Sequence, residues 1–409
     1  PPPLTLTAVI MAGGKGTRVA KVNSEIPKPM LPIGGKPVLE WQIECLERQG
    51  ITDIILIVGY QGGVIKEHFG DSFRYITENE PLGTAGALWY LKKEIKDDFL
   101  LLNGDVIFDI DIDRFYQAHR KNNAVVTLFT HPNNHPYDSG IVIANKQHRV
   151  ISWLTKEDKR EWYKNRVNAG LHFLSPRIFE KLNTENPSKL DLDRDILKPM
   201  IAEETLFVYD SPEYVKDMGT PERIKETEID IQAGKINAKN LHNKQKALFI
   251  DRDGTINKYI GFLRNIDEFE LIPETVEIIK KANESGSLVI VVTNQPIIAR
   301  GEVSWKELDE IHNKMETLLG EQGAYVDDIF ICPHHPDKGF SGERPEYKIE
   351  CDCRKPKPGL LLQAAEKYNI DIIQSIMLGD SEVDIVAGKT AGCMRNILYA
   401  SNKLSRVQL

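Results

Sequence analysis

The chain has few cysteines, few aromatic residues and no long apolar run. Five of its 409 residues are cysteine, and aromatic residues make up 8%. Five thiols fit a reducing compartment better than a disulfide framework, and Cys45 and Cys393 are expected to be buried packing residues. No apolar stretch is as long as a membrane span, and the first residues lack the features of a secretory signal. We therefore expect a cytoplasmic protein without a membrane partner.

Basic residues are too few for a nucleic-acid-binding surface. The 52 lysines and arginines are outnumbered by 60 aspartates and glutamates, which gives a net charge of −8. A protein that binds nucleic acid needs a clustered basic excess, so no nucleic-acid partner is expected. A length of 409 residues exceeds one ordinary hydrophobic core and predicts two domains, or three.

What the chain does contain is a metal-binding pattern. Cys332 and His334 form C-x-H, and Cys351 and Cys353 form C-x-C after a loop. Thiolates and a neutral imidazole are ligands that tetrahedral zinc prefers, and four of them fill a structural site. The alternative is a chance cluster of buried thiols, since free cysteine packs as a small hydrophobe. The loop between the two pairs is rich in proline, glycine and charged residues, which favours zinc.

Short apolar runs alternate with helical patterns along the chain, which is typical of α/β folds with parallel sheets. The predicted strands are 8–11, 54–58, 99–102 and 125–130 in the first half and 247–250, 288–292, 328–332 and 375–378 in the second. Between the halves, residues 234–246 are polar and basic without apolar periodicity. We therefore predict two α/β domains, 1–233 and 247–409, joined by a linker at 234–246.

Two carboxylates stand one residue apart at the end of the first predicted strand of the second half. Asp251 and Asp253 follow the run 247–250, and the carboxyl edge of a parallel sheet is where ligands bind. One carboxylate of such a pair can attack phosphorus while the other transfers protons to the leaving oxygen and from water. Further polar residues fall at strand ends or loops on the same edge: Thr293, Asn294, Lys355, Asp380 and Asp384.

These motifs resemble those of the haloacid dehalogenase superfamily of phosphatases over about residues 246–399. The resemblance implies Asp251 as the nucleophile and Asp253 as the general acid and base. It implies two further sets of residues: Thr293, Asn294, Arg354 and Lys355 as phosphate ligands, and Asp251, Asp253 and Asp380 as ligands of Mg²⁺. Asp384 has a plainer interpretation as a cap or brace of the next helix.

Few residues separate Asp253 from Thr293, so no large cap domain is expected between them. The zinc loop, which precedes Lys355, is then the available lid. A metal would make this loop rigid enough to position Arg354 and Lys355. Zinc is expected to be structural, because all four of its ligand positions are filled.

Several segments resemble the phosphatases that remove the C7 phosphate of D-glycero-D-manno-heptose 1,7-bisphosphate: 293–295, 298–301, 332–336 and 351–359. Histidinol-phosphate phosphatases share the zinc pattern and are the alternative. Arg300 favours the heptose branch, because an arginine in that loop would pair with the second phosphate of the substrate. The sequence departs from the family pattern at three positions that bear on sugar preference and rate: Pro296, Ile297 and Ser381.

A glycine-rich loop follows the first predicted strand, at residues 12–18. Its bare backbone N–H groups could cradle a triphosphate, although the loop lacks the spacing of a P-loop or of a dinucleotide fingerprint. Later motifs strengthen this interpretation: Lys28, the loop PLGTAGAL at 81–88, Asp105 after a strand, Lys156, Asn168 and Asp217.

This series resembles the sugar-1-phosphate nucleotidyltransferases over about residues 4–225. The resemblance implies a Rossmann-like mixed sheet and a displacement in which a sugar phosphate attacks the α-phosphorus of a nucleotide and pyrophosphate leaves. It implies the following residues: Arg18 and Lys28 in catalysis, Gly13, Gly14, Gly16, Thr17, Gly83, Thr84, Lys156 and Asn168 in substrate binding, and Asp105 and Asp217 as ligands of Mg²⁺. A helix cap is the alternative for Asp217, and Thr155 replaces the acidic residue that usually precedes Lys156.

The loop PLGTAGAL is closer to guanylyltransferases than to thymidylyltransferases, which favours GTP. The two resemblances together imply a bifunctional enzyme that makes GDP-heptose, a precursor of lipopolysaccharide, capsule or S-layer glycan, and that forms a homo-oligomer. One alternative is a different small-molecule phosphatase fused to another sugar nucleotidyltransferase. Another makes the N-terminal half a non-catalytic nucleotide-binding regulator, against which the intact Gly13, Lys28 and Asp105 speak.

Overall fold

The structure is a computed structural model that describes residues 6–13, 26–59 and 61–400. Within these ranges, no helix is both long enough and apolar enough to cross a membrane. In chain order the strands are β1 (Thr7–Met11), β2 (Pro32–Ile33), β3 (Lys36–Pro37), β4 (Asp53–Val58), β5 (Arg74–Thr77), β6 (Phe99–Asn103), β7 (Val106–Asp109), β8 (Val126–His131), β9 (Ile141–Ala144), β10 (Val150–Leu154), β11 (Val167–Leu174), β12 (Leu206–Asp210), β13 (Tyr214–Asp217), β14 (Ala247–Ile250), β15 (Leu288–Asn294), β16 (Asp328–Cys332), β17 (Ile376–Gly379) and β18 (Arg395–Leu398). The α-helices are α1 (Val38–Arg48), α2 (Gly62–Phe69), α3 (Ile112–Lys121), α4 (Met200–Glu203), α5 (Pro221–Gln232), α6 (Lys235–Ala238), α7 (Pro273–Ser285), α8 (Trp305–Glu321), α9 (Gly359–Tyr368) and α10 (Glu382–Ala391).

The N-terminal part is built on a mixed sheet in which, among the described residues, the strand order is β12-β8-β11-β6-β1-β4-β5. β1 is parallel to both of its neighbours, β4 and β6, whereas β11 is antiparallel to β6. β7, which follows β6 in the chain, pairs with β13 in a separate antiparallel sheet of two strands. Because β1 has later strands on both sides, its carboxyl end is a switch point where a ligand cleft opens.

The C-terminal part is built on a parallel sheet with the order β16-β15-β14-β17-β18. β14 pairs in parallel with β15 on one side and β17 on the other, and β16 and β18 extend the sheet in the same sense. The first strand of this part therefore occupies the centre of its sheet, as β1 does in the other. Its carboxyl end is the second switch point.

Both sheets are buried on two faces, since successive strand residues point in opposite directions. Ala8 and Ile10 of β1 pack in one hydrophobic cluster, whereas Val9 packs in another. In β14 the same alternation divides the strand between two further clusters. The central strands are therefore continuous apolar runs, and these runs allow the strands to be recognised in the sequence.

The chain forms two compact units. Unit 1 comprises the described residues up to Thr130 together with Val142–Trp153 and Asn168–Asn240. Unit 2 comprises His131–Ile141, Leu154–Val167 and the residues from Leu241 onward. Two segments of the N-terminal part of the sequence thus belong to unit 2.

The α/β fold class with two parallel or mixed sheets is confirmed, and every predicted strand is present with its ends shifted by at most two residues. The predicted domain boundaries 1–233 and 247–409 follow the order of the motifs, whereas unit 2 also includes two segments of the first half of the chain. The predicted linker, 234–246, contains α6, whose Ile236 is buried. One buried apolar residue in a four-residue helix gives no periodicity, and so the helix was not visible in the sequence.

Candidate active sites

Asp251 lies at the carboxyl end of β14, the central strand of the parallel sheet. Its backbone N–H donates to the carbonyl oxygen of Leu378 in β17, at 3.0 Å. The residue is 8% exposed. Regular sheet structure therefore holds the predicted nucleophile at the switch point of the sheet, where an open α/β fold binds its ligands.

Lys355 is the buried cation of this site. Its Nζ lies 2.8 Å from Asp251 Oδ1 and 2.6 Å from Asp384 Oδ1, and it donates to the carbonyl oxygen of Val292 at 2.8 Å. Burial acts to lower the pKa of Lys355, but Asp251 and Asp384 outweigh this effect and raise the pKa above its ordinary value. The amine is therefore charged and lies between two carboxylates.

Three carboxylates meet around this lysine. Asp251, Asp380 and Asp384 each offer an oxygen within 4.8 Å of the others. Burial raises the pKa of Asp251 well above its ordinary value, although Lys355 opposes this, and burial also raises the pKa of Asp380. One lysine does not balance three anions, and clustered carboxylate oxygens are the donors that Mg²⁺ takes in proteins. The group therefore fits a hard divalent cation.

Asp253 is not part of this carboxylate group. Its Oδ1 accepts from Arg252 Nε at 3.0 Å and from Asn257 Nδ2 at 3.0 Å, and its Oδ2 accepts from Gln295 Nε2 at 3.0 Å. The predicted magnesium ligands were Asp251, Asp253 and Asp380, and the observed group has the carboxylate of Asp384 instead of that of Asp253. The reason is that three donors hold the Asp253 side chain.

Asp384 has both of the roles that its position allows. Its Oδ2 accepts from the backbone N–H of Ser381 at 3.2 Å, as part of the capping box that begins α10. Its Oδ1 bonds to Lys355 at 2.6 Å. The interpretation as a helix brace therefore agrees with the structure, but the same carboxylate also faces the site. The spacing from Asp380, which places both at the beginning of one helix, was the available signal.

Thr293 and Asn294 end β15 beside the nucleophile. Thr293 is 1% exposed, and its Oγ1 accepts from Gln295 Nε2 at 2.9 Å. The side-chain amide of Asn294 donates to the carbonyl oxygen of Lys355 and accepts from its backbone N–H, both at 3.0 Å. Asn294 thus fixes the backbone of Lys355, and its predicted contact with phosphate stays a prediction.

The metal-binding pattern closes into one cluster, because the ligand atoms of Cys332, His334, Cys351 and Cys353 lie within 4.8 Å of one another. Cys332 Sγ lies 3.6 Å from Cys351 Sγ and 3.7 Å from His334 Nδ1, which lies 3.4 Å from Cys353 Sγ. These separations fit a tetrahedron with sulfur edges of about 3.8 Å, which follow from zinc–sulfur bonds of about 2.3 Å. The Cys332–Cys353 separation of 2.9 Å is shorter than such an edge.

The thiols of this cluster have unequal acidity. The hydrogen bonds with Cys332 and with His334 lower the pKa of Cys353 to about 5, against the effect of burial. The hydrogen bond to Cys353 and burial raise the pKa of Cys332. Cys351 and Cys353 are only half-buried, so the cluster does not have the burial of an ordinary group of packing cysteines. Its donor set therefore fits zinc.

Arg300 lies between two aromatic rings near the zinc loop. Its guanidinium carbon is 5.2 Å from the ring centre of Phe262 and 4.9 Å from that of Phe340, and its Nε donates to Glu302 at 3.1 Å. Arg354, the other predicted arginine, is half-buried, and its Nε has no hydrogen-bond partner among the described residues. Both arginines retain N–H groups that could donate hydrogen bonds to a bound anion.

The first candidate residues of unit 1 come together as an ion pair. Lys28 Nζ lies 3.2 Å from Asp105 Oδ2, and the two side chains are 19% and 28% exposed. Asp105 lies in the turn between β6 and β7, next to the carboxyl end of β1. The other predicted residues of the glycine-rich loop lie outside the described residues: Gly14, Gly16, Thr17 and Arg18.

Glu78 is a residue of this site that the sequence analysis missed. It follows β5, and its Oε2 accepts from the backbone N–H of Leu82 at 2.9 Å. A Cβ atom added to Gly13 would come within 2.9 Å of Glu78 Oε1, so this carboxylate lies against the beginning of the glycine-rich loop. Burial raises the pKa of Glu78. An acidic residue at a strand end, just before PLGTAGAL, was the signal in the sequence.

The predicted nucleotide-binding loop packs on a later segment of unit 1. Gly83 has a φ of +73°, and a Cβ there would overlap the carbonyl oxygen of Leu190. Thr84 Oγ1 accepts from the backbone N–H of Leu192 at 2.6 Å. The glycine is thus required by a close backbone approach and a left-handed conformation. The contacts of Thr84 are structural, and its binding role stays a prediction.

The backbone after Asp217 is bonded to Asp105, and the role of the two carboxylates as a magnesium pair stays a prediction. Asp217 ends β13, and the backbone N–H of the next residue, Met218, donates to the carbonyl oxygen of Asp105 at 2.8 Å. Asp217 Oδ2 accepts from Arg223 Nη1 at 2.7 Å. The alternative of a helix cap is wrong, because the cap of α5 is Thr220.

The remaining predicted residues differ in their placement. Asn168 lies in β11, and its Oδ1 accepts from the backbone N–H of Gly170 at 3.1 Å. Lys156 is exposed and lies in Leu154–Val167, which belongs to unit 2, whereas Lys28, Asp105 and Asn168 belong to unit 1. The role of Lys156 at the sugar phosphate stays a prediction.

The folds and sites define a two-part α/β enzyme, with a nucleotidyltransferase part followed by a phosphatase part. Residues 7–234 match the family model described as nucleotidyl transferase, and residues 352–409 match the one described as HAD-hydrolase-like. The first match covers more than half of the 409 residues. The chain therefore belongs to the nucleotidyl transferase family, and the predicted resemblance to both families is confirmed.

Relatives match each part separately. The D-glycero-alpha-D-manno-heptose-1,7-bisphosphate 7-phosphatase of Photorhabdus laumondii is 44% identical over 157 residues, which are 38% of this chain and 84% of the relative. The D-glycero-beta-D-manno-heptose-1,7-bisphosphate 7-phosphatase of Pasteurella multocida is 41% identical over 160 residues, which are 39% of this chain and 84% of the relative. The C-terminal part therefore belongs to the family of these phosphatases.

The N-terminal part matches the bifunctional protein GlmU of Methanococcus maripaludis, with 36% identity over 221 residues. The match covers 53% of this chain and 52% of that relative, so the chain spans about half the length of GlmU. The two parts of the chain thus have relatives of different kinds.

Proposed function

We propose that the chain makes GDP-D-glycero-D-manno-heptose in two consecutive reactions. The C-terminal part hydrolyses the C7 phosphate of D-glycero-D-manno-heptose 1,7-bisphosphate. The N-terminal part then transfers GMP from GTP to heptose 1-phosphate and releases pyrophosphate. The observation that carries this proposal is the contact of the buried Lys355 with Asp251 and Asp384 at a switch point of the parallel sheet.

The phosphatase reaction follows from the positions of the carboxylates. Asp251 Oδ forms a bond to phosphorus, the bond from phosphorus to the C7 oxygen breaks, and Asp253 gives that oxygen a proton. Water then gives a proton to Asp253 and displaces Asp251 from phosphorus. Lys355 stabilises negative charge at Asp251, at 2.8 Å. Asp251, Asp380 and Asp384 would hold Mg²⁺, which supplies positive charge to offset that of the phosphate.

Cations near the zinc loop support a substrate with a second phosphate. Burial and the positive charges of Arg354, Lys348 and Arg300 lower the pKa of His335, so these groups surround one region. Guanidinium groups bind phosphate through paired N–H donors. Cys332, His334, Cys351 and Cys353 would hold zinc and keep this loop rigid, with no part in the chemistry.

Glu78 supports guanine as the base. Its carboxylate lies against Gly13, at the beginning of the loop that would cradle the triphosphate. Guanine presents two neighbouring N–H donors on its Watson–Crick edge, and a carboxylate accepts both, whereas uracil and thymine present one N–H between two acceptors. Lys28 would bind phosphate, and Asp105 with Asp217 would hold Mg²⁺.

Phosphate release tests the first reaction. The chain is expected to prefer heptose 1,7-bisphosphate to histidinol phosphate, and Asp251→Asn is expected to abolish release while nucleotidyl transfer continues. Preference for histidinol phosphate would assign the alternative substrate. In that case the argument from Arg300 and its neighbouring cations would be wrong.

Pyrophosphate release tests the second reaction. Heptose 1-phosphate is offered with each of the four nucleoside triphosphates, and GTP is expected to give the highest rate. Asp105→Asn is expected to remove this activity and to leave phosphate release unchanged. Absence of pyrophosphate release by the wild type would instead point to the non-catalytic alternative. Equal release by Asp105→Asn and the wild type would show that Asp105 is not needed for the transfer. Glu78→Gln is expected to reduce the preference for GTP over UTP.

The same proposal includes the setting of the enzyme. We place it in the cytoplasm, where nucleoside triphosphates are made and where the cluster of Cys332, Cys351 and Cys353 stays reduced. Association into a homo-oligomer is part of the proposal and is tested by the molar mass in solution.

A further inference from the structure

Arg252, between the two motif aspartates, has no role in the reaction as described so far. Its side chain is fully buried, with 0% exposure, and is the largest fully buried side chain of the described residues. Its Nε and Nη2 donate to Asp253 Oδ1 at 3.0 and 2.9 Å, and Nη2 also donates to Oδ2 at 3.0 Å. A buried guanidinium is costly unless its donors are satisfied, so its placement on Asp253 is specific.

The far end of this guanidinium is fixed by His312. Arg252 Nη1 lies 3.1 Å from His312 Nε2, and His312 lies on the buried face of α8 with 4% exposure. Burial and the charge of Arg252 lower the pKa of His312 well below its ordinary value. The imidazole is therefore neutral, and Nε2 accepts the hydrogen bond from Arg252. α8 itself begins with a capping box at Ser304, about two helical turns before His312.

Three side chains of the described residues donate to Asp253. Besides Arg252, the amides of Asn257 and Gln295 donate to Oδ1 and Oδ2, both at 3.0 Å. Asn257 and Gln295 are themselves buried. Donors on both oxygens therefore fix the orientation of the Asp253 carboxylate. This orientation matters after the leaving oxygen has taken its proton, when Asp253 must accept a proton from water.

We propose that Arg252, anchored on His312, is a positioning residue that holds the Asp253 carboxylate for the second step of the phosphatase reaction. In that step a water oxygen forms a bond to phosphorus, its proton goes to Asp253, and the bond between phosphorus and Asp251 breaks. The proposal rests on the proposed phosphatase function and deepens it. It does not depend on which sugar phosphate is the substrate.

A substrate with a good leaving group separates the two steps. Nitrophenolate leaves p-nitrophenyl phosphate without needing a proton, so formation of the phospho-Asp251 enzyme needs no help from Asp253. In rapid-mixing experiments, Arg252→Gln and His312→Leu are expected to retain a burst of nitrophenolate that approaches one per protein. Their steady-state rate is expected to fall by about 10–100-fold, because a misplaced Asp253 loses part of the rate enhancement that a general base provides.

The matched control is His312→Gln, whose amide oxygen can still accept from Arg252 Nη1. This variant is expected to keep a steady-state rate within about 3-fold of the wild type. Such a loss is small compared with the rate enhancement that a general base provides. If Arg252→Gln does not fold, the comparison of His312→Leu with His312→Gln decides. Asp251→Asn is expected to remove both the burst and the turnover.

Two results would overturn the inference. One is a burst and a steady-state rate that fall together in His312→Leu, which would indicate general damage to the site. The other is an unchanged steady-state rate in both Arg252→Gln and His312→Leu. Absence of any hydrolysis by the wild-type protein would contradict the proposed phosphatase itself, which distinguishes failure of the function from failure of the positioning role.

Discussion

At the scale of single residues, the charge of the phosphatase site depends on Lys355. Its Nζ lies 2.8 Å from Asp251 and 2.6 Å from Asp384, and its side chain is 2% exposed. Lys355→Met would leave two buried carboxylates without this partner. We expect a loss of about 3–5 kcal/mol in the free energy of unfolding and loss of phosphate release. Thermal unfolding and a phosphate assay measure these effects.

The control for this substitution is Lys389→Met, which removes an exposed lysine from α10 of the same unit. It is expected to change stability by less than about 0.5 kcal/mol. Nucleotidyl transfer should continue in both variants. A Lys355→Met protein with normal phosphatase activity would show that the buried ion pair is not needed for attack by Asp251.

A second residue, His172, is expected to make the stability of the protein depend on pH. It is 1% exposed, its Nδ1 bonds to the carbonyl oxygen of Leu101 at 3.0 Å, and burial lowers its pKa to about 4. In the unfolded chain the pKa is about 6.5, so the unfolded state takes up the proton first as the pH falls. Stability from this residue is present above pH 6.5 and is lost between about 6.5 and 4.

The measurement is urea unfolding of the wild type and of His172→Leu at pH 7 and pH 5. The wild type is expected to lose about 2 kcal/mol more than the variant between these values. All other titrating groups are shared by the two proteins, so the comparison isolates the histidine. Equal losses would mean that His172 is not buried in the neutral form.

Residues that act in local motifs were predictable, and residues whose partners are distant in sequence were not. Asp251 and Lys355 were predicted because each follows a strand or a metal-binding motif. His312 contacts Arg252 from 60 positions away. Glu78 follows β5 and approaches Gly13, which follows β1, and one strand, β4, lies between β1 and β5 in the sheet. A local sequence pattern does not reveal contacts between residues so far apart in the chain, because the packing of helices and strands determines these contacts.

At the scale of elements, the zinc loop is fitted closely to the loop that carries Arg300. Gly301 has a φ of +71°, and a Cβ there would overlap the carbonyl oxygen of Gly342. Gly301→Ala is therefore expected to displace the zinc loop, to raise KM for the bisphosphate and to destabilise the protein by more than about 1–2 kcal/mol. The measurement combines kinetics with thermal unfolding.

Gly261→Ala is the matched control for the backbone conformation. Gly261 has a φ of +80°, but a Cβ there would meet nothing within 4 Å. Its cost is expected to be only that of the left-handed conformation, about 1–2 kcal/mol. Similar losses in the two variants would rule out the overlap with Gly342 as the cause.

Removal of the metal tests the zinc loop as an element. Cys351→Ser, or treatment with a zinc-selective chelator, is expected to remove bound zinc and to increase hydrogen exchange in residues 333–354. Phosphate release should fall while nucleotidyl transfer stays unchanged, because the four ligands belong to unit 2. Cys393→Ala, which alters a buried cysteine that is not one of the four ligands, should keep its zinc. Unchanged exchange in the loop after metal loss would contradict the bracing role.

Eight strands of the two main sheets were predicted, because central strands are buried on both faces and appear as continuous apolar runs. The other four strands of these sheets were not predicted: β5, β11, β12 and β18. β14 and β16 match the prediction at both ends. The short pair β7 with β13 was not predicted, nor was α6. These elements are too short for a periodic pattern, and long-range contacts decide their conformation.

At the scale of the whole molecule, the phosphatase unit depends on residues far from its motifs. Arg166, 4% exposed, lies 3.1 Å from Glu316, which is 2% exposed, and both belong to unit 2. Arg166→Met would leave the buried carboxylate of Glu316 without its guanidinium partner. We expect a loss of about 3–5 kcal/mol, measured as a lower temperature for heat inactivation of the phosphatase.

The double variant Arg166→Met with Glu316→Leu is expected to recover part of this loss, because no buried charge then remains from the pair. Lys159→Met, which changes an exposed residue of the same segment, should be neutral. A double variant as unstable as the single one would show that the ion pair itself is not the source of the effect.

The segments His131–Ile141 and Leu154–Val167, which complete unit 2, have a consequence for inheritance. Genes recombine as contiguous stretches, and a break at the codon for Leu241 would transfer the phosphatase motifs without these two segments. A recombinant that received only the later stretch would inherit the catalytic residues and lack part of their support. In this chain, separation of the two coding regions would therefore remove part of unit 2, whereas the phosphatase relatives match the C-terminal part alone.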